Sequence, residues 1–240
     1  MDDYPLAPPA GLRHTSLTQQ WQRLTFVHWR YEPADVQAIL PEGLTVDTFD
    51  GSAWVGLVPF QMIDVRPPFI PTLHPLTTFP ETNIRTYVRG SHGQGVWFGT
   101  LEITRLLGVA VARTLFGVPY AWAEMSIDQT SERIRYMSRR RWPKPRGASS
   151  VLEIEIGDAL SELDDLERFL TSRWSTYSTL PGGSLGWVPV EHEPWPLQSA
   201  HIRELGESLT IAVGLPAPTS PAIAHYSPGV TARIGYPHRA

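Results

Sequence analysis

Alternation of apolar and polar residues over 24–31 predicts a strand, with Phe26, His28 and Arg30 on one face and Thr25, Val27 and Trp29 on the other. Pro33 then suits the first turn of a short helix, with Val36, Ile39 and Leu40 at helical spacing and Pro41 ending it. Residues 45–49 and 52–63 read as the arms of a hairpin about the Asp50-Gly51 turn. The proline-rich stretch 66–80 is long enough to be either a lid or a surface loop. Period-two alternation returns over 82–89, with Asn83, Arg85, Tyr87 and Arg89 facing one way. A glycine-rich turn at 91–95 leads into a strand over 96–101, and a helix is expected over 102–115, closed by Gly117 and Pro119. Two strands follow, 120–128 and 133–140, then a third over 151–156. Ser161 reads as the N-cap of a helix carrying Leu163, Leu166, Phe169, Leu170 and Trp174 along one side. The tail holds strands near 188–192 and 199–205 and an apolar piece over 209–215.

Many hairpin-linked strands with a few helices between them indicate an α+β fold built on a mainly antiparallel sheet. With 240 residues, no repeat and no linker, the chain is expected to be a flexible arm over 1–18 and a single domain over 19–240.

Composition removes several functions. A net charge of −4 argues against a general nucleic-acid binder. The run Arg133, Arg135, Arg139, Arg140, Arg141 reads as a solvated strand face or an edge guard. The absence of cysteine excludes disulfides, thiol nucleophiles and thiolate metal sites. Eight histidines lie scattered, none in a metal-binding spacing, so no metal and no cofactor are expected. No apolar run approaches the ~20 residues that span a bilayer, and the polar N-terminus has no apolar signal region, so the expectation is a cytoplasmic protein without a membrane partner. Nine tryptophans supply core packing or pocket walls, with Trp54, Trp97 and Trp122 the candidates for lining a ligand site.

The informative chemistry is charge embedded in strand faces. Arg30 follows an apolar strand, and Glu81 and Arg85 flank the start of another. Glu124 shares a face with Tyr120, Trp122 and Ser126. Turned into a closed barrel, such groups could hold a carboxylate and move a proton. Structural Arg–Glu pairing is the competing reading of the same residues. There is a single lysine, Lys144, against nineteen arginines, which leaves little room for imine chemistry.

Segments 26–30, 40–44, 47–51, 54–56, 79–88, 115–120, 169–174 and 194–198 resemble, in order, the YqjF-like proteins of unknown function. That family is similar to the acetoacetate decarboxylase-like superfamily, which implies a mainly antiparallel β-barrel enclosing a cavity, decorated by a few peripheral helices. In the decarboxylases a Gly-Phe-Pro-Lys-Lys segment supplies the Schiff-base lysine and its neighbour. The similar segment here is Gly117-Val118-Pro119-Tyr120-Ala121, which puts Tyr120 in the nucleophile's place. By the same resemblance Arg30 matches the decarboxylase arginine and Glu81 its active-site glutamate. The expectation is therefore an acetoacetate decarboxylase-like protein without the covalent catalyst. It would be a non-covalent lyase, isomerase, hydratase or cyclase on a small carbonyl or carboxylate compound. Tyr120, Glu81 and Glu124 would be catalytic, and Arg30, Arg85, Trp54, Trp97 and Trp122 would bind the ligand. The alternative is a small-molecule binding or sensing domain without chemistry. A homo-oligomer is left open.

Overall fold

The computed structural model describes residues 4–8, 11–71, 77–106, 109, 118–180 and 182–240. Thirteen strands join in one sheet: β1 (Leu17–Tyr31), β2 (Thr45–Val46), β3 (Ala53–Arg66), β4 (Phe79–Gly90), β5 (Gly93–Ile103), β6 (Tyr120–Gln129), β7 (Arg133–Trp142), β8 (Ser149–Ala159), β9 (Ser175–Thr179), β10 (Leu185–His192), β11 (Gln198–Glu207), β12 (Ile223–Ile234) and β13 (His238–Arg239). The described helices are short: α1 (Pro33–Gln37), α2 (Asp165–Thr171) and α3 (Leu209–Ala212). None is long and apolar enough to cross a membrane. Pairing is antiparallel except where β5 meets β6 and β9.

The ladder closes on itself twice. One circuit runs β5–β6–β7–β8–β11–β12–β1–β3–β4 and returns to β5. The other runs β5–β9–β10–β12 and rejoins the first at β1, β3 and β4. The shared strands are therefore covered on both faces, and their two sets of alternating side chains enter different cores. Val27, Trp29, Val55, Leu57 and Ile84 pack with Ile134, Tyr136, Leu152 and Ile154 in the first. A hydrogen bond of 2.8 Å from Thr25 to Tyr136 crosses it, between strands that are not neighbours. Phe26, Val58 and Phe60 face the other way, toward Trp195 and Leu197.

Several expectations need correcting. β2 pairs with β4, not β3, and the Asp50-Gly51 turn closes on the single bridge between Phe49 and Ser52. Glu102 and Ile103 belong to β5; of the helix expected over 102–115, most lies outside the described residues, as does the centre of the 66–80 loop. The N-cap of α2 is Asp164, not Ser161, because Asp164 and Glu167 form a reciprocal capping box. Near the N-terminus, Tyr4 packs edge-on against Phe169 and the Trp174 indole donates to the Pro5 carbonyl.

β12, which carries Pro228 and Gly229, was not among the expected strands. Both fit because the β1–β12 ladder passes over one position without changing register: Gln22 pairs with Gly229 and Leu24 with Ser227, while Arg23 between them takes a positive φ of 51°. Gly229 itself has φ 135°, and a Cβ there would lie 2.2 Å from the Trp21 carbonyl oxygen. Gly229→Ala should cost more than about 2 kcal/mol in urea unfolding, since backbone cannot yield to it. Gly206→Ala, where a Cβ meets nothing within 4 Å, should be near neutral. Equal effects would remove the strain argument.

Candidate functional site

β4 lies between β3 and β5, and on its face carrying Glu81, Asn83, Arg85 and Tyr87 all but the partly exposed Arg85 are buried. Glu81 and Asn83 are each only 3% exposed. The Tyr120 hydroxyl donates to Glu81 Oε2 at 3.3 Å and the Asn83 amide to Oε1 at 3.4 Å. Burial nevertheless outweighs these long contacts and pushes the Glu81 carboxyl up to about 7. Tyr120 is driven the opposite way from a nucleophile. Burial first, and then the charge of Glu81, raise its phenol well above the usual range, so it stays a proton donor.

Two turns of the pleat further along, Arg85 is partly buried, its Nε enclosed, among groups that carry no negative charge. Its guanidinium carbon lies 4.9 Å from the Phe26 ring centre, and its Nε has no hydrogen-bond partner. Among the described residues no carboxylate forms an ion pair with it; burial lowers its pKa, offset in part by the Tyr87 hydroxyl. His28 and His192 are its titratable neighbours, and both are held neutral. Burial and then Arg85 depress His28 well below the usual range. Burial brings His192 down to about 4.

The proton positions follow from one bond. Tyr87 has a single hydroxyl proton, donated to the Leu170 carbonyl at 2.7 Å. The 2.6 Å contact between Tyr87 Oη and His28 Nε2 must then be donated by the imidazole. That fixes the tautomer and leaves His28 Nδ1 as a buried acceptor without a donor. Asn83 Oδ1 is a second such acceptor. Gly56 makes the approach possible: a Cβ there would sit 2.9 Å from His28 Nε2 and 3.4 Å from the Arg85 side chain. Unpartnered acceptors and an unpaired cation on one interior face form a complement for a small acid that also donates a hydrogen bond.

Of the residues expected at the site, Tyr120 and Glu81 touch, and Arg85 shares their strand face. Trp54 is buried in the same layer, packed with Tyr87 and Phe169. The others lie elsewhere. Arg30 is half-exposed at the end of β1, stacked over Trp54 at 5.1 Å and 3.9 Å from Asp50. Glu124 is exposed and ion-paired with Arg141, because β6 belongs to only one of the two circuits and this face of it is open. Trp97 lines a separate 270 Å³ cavity with Phe98 and Pro119, and Trp122 lines an outer cleft. His28, Tyr87 and His192 were not expected. The signal for the first two was present, since each sits at the right period-two position on an inward face. His192 gives no such signal, because its burial depends on Trp21, Trp174 and Trp195 converging from distant segments. Among the described residues no cluster of His, Asp and Glu is arranged to hold a metal.

Comparison with known proteins agrees with the fold. The chain is 31% identical over 211 residues to the uncharacterised protein YqjF of Bacillus subtilis (strain 168), covering 88% of this chain and 87% of that one. An acetoacetate decarboxylase-like enzyme from Sphingomonas wittichii RW1 superposes with a TM-score of 0.65 at 18% identity, over 97% of this chain and 95% of its own. The enduracididine biosynthesis enzyme MppR, solved with pyruvate, gives a TM-score of 0.65 at 12% identity, over 96% and 93%. At those identities the two structures speak for architecture alone. The family model of the uncharacterised conserved proteins DUF2071 matches residues 18–231, and the chain belongs to that family.

Proposed function

We propose that the inner face of β4 lines a pocket that binds a small organic carboxylate at Arg85, and that Glu81 and Tyr120 move a proton on the bound compound. The two closed strand circuits are read as the barrel that encloses this pocket. The observation that carries the reading is Arg85, a partly buried guanidinium with an enclosed, unpartnered Nε and, among the described residues, no carboxylate to pair with. A planar fork of this kind is suited to grip a carboxylate through two charge-assisted bonds. Pyruvate, bound by the similarly folded MppR, is a compound of that class. His28 Nδ1 and Asn83 Oδ1 would accept from a hydroxyl or enol of the same ligand.

Glu81, titrating near 7, is matched to proton transfer at neutral pH, where base and acid forms are both populated. Tyr120, held protonated, would be the acid or the donor to a developing oxyanion. The reaction class is a cofactor-independent lyase, isomerase, hydratase or cyclase step. An imine route is not part of it, because Lys144 is exposed in the connection between β7 and β8 and tyrosine cannot form the electron sink. A cytoplasmic setting accompanies this reading. Binding without chemistry is favoured by a single observation, that both Glu81 oxygens are already engaged by Asn83 and Tyr120.

Arg85→Met tests the anion site. A thermal-shift titration with pyruvate and other short keto and hydroxy acids should stabilise the wild type, and the variant should lose at least about tenfold in affinity. The ligand-free variant should be no less stable, because an unpaired, partly buried charge has been removed. Marked destabilisation without ligand would make Arg85 structural. For a compound that is turned over, Tyr120→Phe should lower kcat by about a hundredfold or more; full activity would remove Tyr120 from the chemistry.

The pH dependence of stability tests Glu81. Its carboxyl rises from an ordinary 4.5 to about 7, so the folded state holds the proton more tightly. Stability then falls as pH rises through that window, by on the order of 3 kcal/mol in all. His192 acts in the opposite sense. It is lowered from 6.5 to about 4, so its contribution is lost as pH falls through that range. Glu81→Gln deletes the first effect and keeps the second. Between about pH 5 and 7, urea stability of the variant should therefore climb with pH more steeply than that of the wild type. Parallel profiles would mean that Glu81 titrates normally.

A further inference from the structure

On the outer face of β6 and β7 a cleft of about 670 Å³ is lined by Trp122, Arg139, Arg140, Arg141, Trp142 and Arg146. Four guanidiniums meet there, but two are already neutralised. Arg140 turns inward to a fully buried Glu102, bonded also to Thr100. Arg141 takes the carboxylate of Glu124, although Glu124 lies directly across the ladder from Arg139. Arg139 and Arg146 are exposed and, among the described residues, have no hydrogen bond or ion pair. The indole of Trp122 stands beside them; its direct cross-strand partner, Trp142, already has a contact of its own.

We propose that this cleft binds a small organophosphate carrying a planar ring, a ligand of mononucleotide size and chemistry. Guanidinium forks match phosphate oxygens bidentately and keep their charge at every physiological pH. Indole faces give a planar ring a stacking surface. The volume is that of a small-molecule pocket. A nucleic-acid strand fits less well, since it needs a continuous cationic track. Here the track stops: further along β7, Arg133 and Arg135 are matched by Glu153, Glu155 and Glu204. The site is separate from the Arg85 pocket and does not rest on its function.

Calorimetry on the full chain with adenosine 5′-monophosphate, adenosine, pyrophosphate and an oligothymidylate tests the assignment. The monophosphate should bind more tightly than adenosine. Arg139→Gln with Arg146→Gln should weaken both it and pyrophosphate, by about tenfold per arginine, with the melting temperature unchanged. Trp122→Leu should weaken the monophosphate and spare pyrophosphate. Arg85→Met should leave all of this intact, which separates the two sites. The proposal is overturned if neither phosphate probe binds, if the double variant binds them as the wild type does, or if the oligonucleotide binds more tightly than the mononucleotide.

Discussion

A guanidinium held partly out of water, with no counter-charge among the described residues, is the constraint around which the interior of this protein is arranged. Burying an isolated charge is costly, and proteins reduce the cost by pairing it, neutralising it or surrounding it with polarisable groups. Arg85 cannot be neutralised at ordinary pH, so its surroundings carry the burden. Phe26 offers a ring face, Tyr87 a hydroxyl oxygen, and the two nearest histidines are held uncharged. Every nearby choice lowers positive charge, and none supplies negative charge.

The same fold pairs the arginines that it buries fully. Arg140 is bound to Glu102, and Arg173 to Asp47 at 2.6 Å while packing over Tyr87 and Phe169. Those two pairs pin strands that the ladder alone would leave loosely related. Arg140 links β7 to β5 across the intervening β6, and Asp47 ties the segment after β2 to the residue following α2. Paired arginines thus do structural work in this chain, and the unpaired one stands on the single face where Glu81 and Tyr120 also meet.

What the sequence made legible was periodicity on strands with clean alternation. The two faces of β1 and of β4 could be read directly, and with them the shared placement of Glu81 and Arg85. Three things were not legible. Strand partnership depends on contacts distant in sequence, so the Asp50-Gly51 signal suggested β2–β3 where β4 is the partner. A strand carrying Pro228 and Gly229 looks like a loop until the position that the ladder with β1 passes over, at Arg23, is known. The inward or outward sense of β6 depends on its place in only one circuit, which exposes Glu124 while Tyr120, four residues earlier on the same face, reaches Glu81. Period-two spacing assigns residues to a common face but does not tell where along the strand that face becomes buried.

The lone lysine gains its meaning from this geometry. Covalent catalysis on a carbonyl compound needs an amine whose pKa is lowered by burial or by a neighbouring cation. By the sequence resemblance Tyr120 is expected in the place of that amine, and the same burial that would activate a lysine does the reverse to a phenol: it stabilises the protonated form. The neighbouring group is changed in a matching sense. Glu81 is raised to about 7 by desolvation, and a carboxyl poised there beside a fixed donor is suited to passing a proton back and forth, not to supporting an iminium. One low-dielectric environment therefore favours imine formation when it surrounds lysine and acid–base exchange when it surrounds this pair.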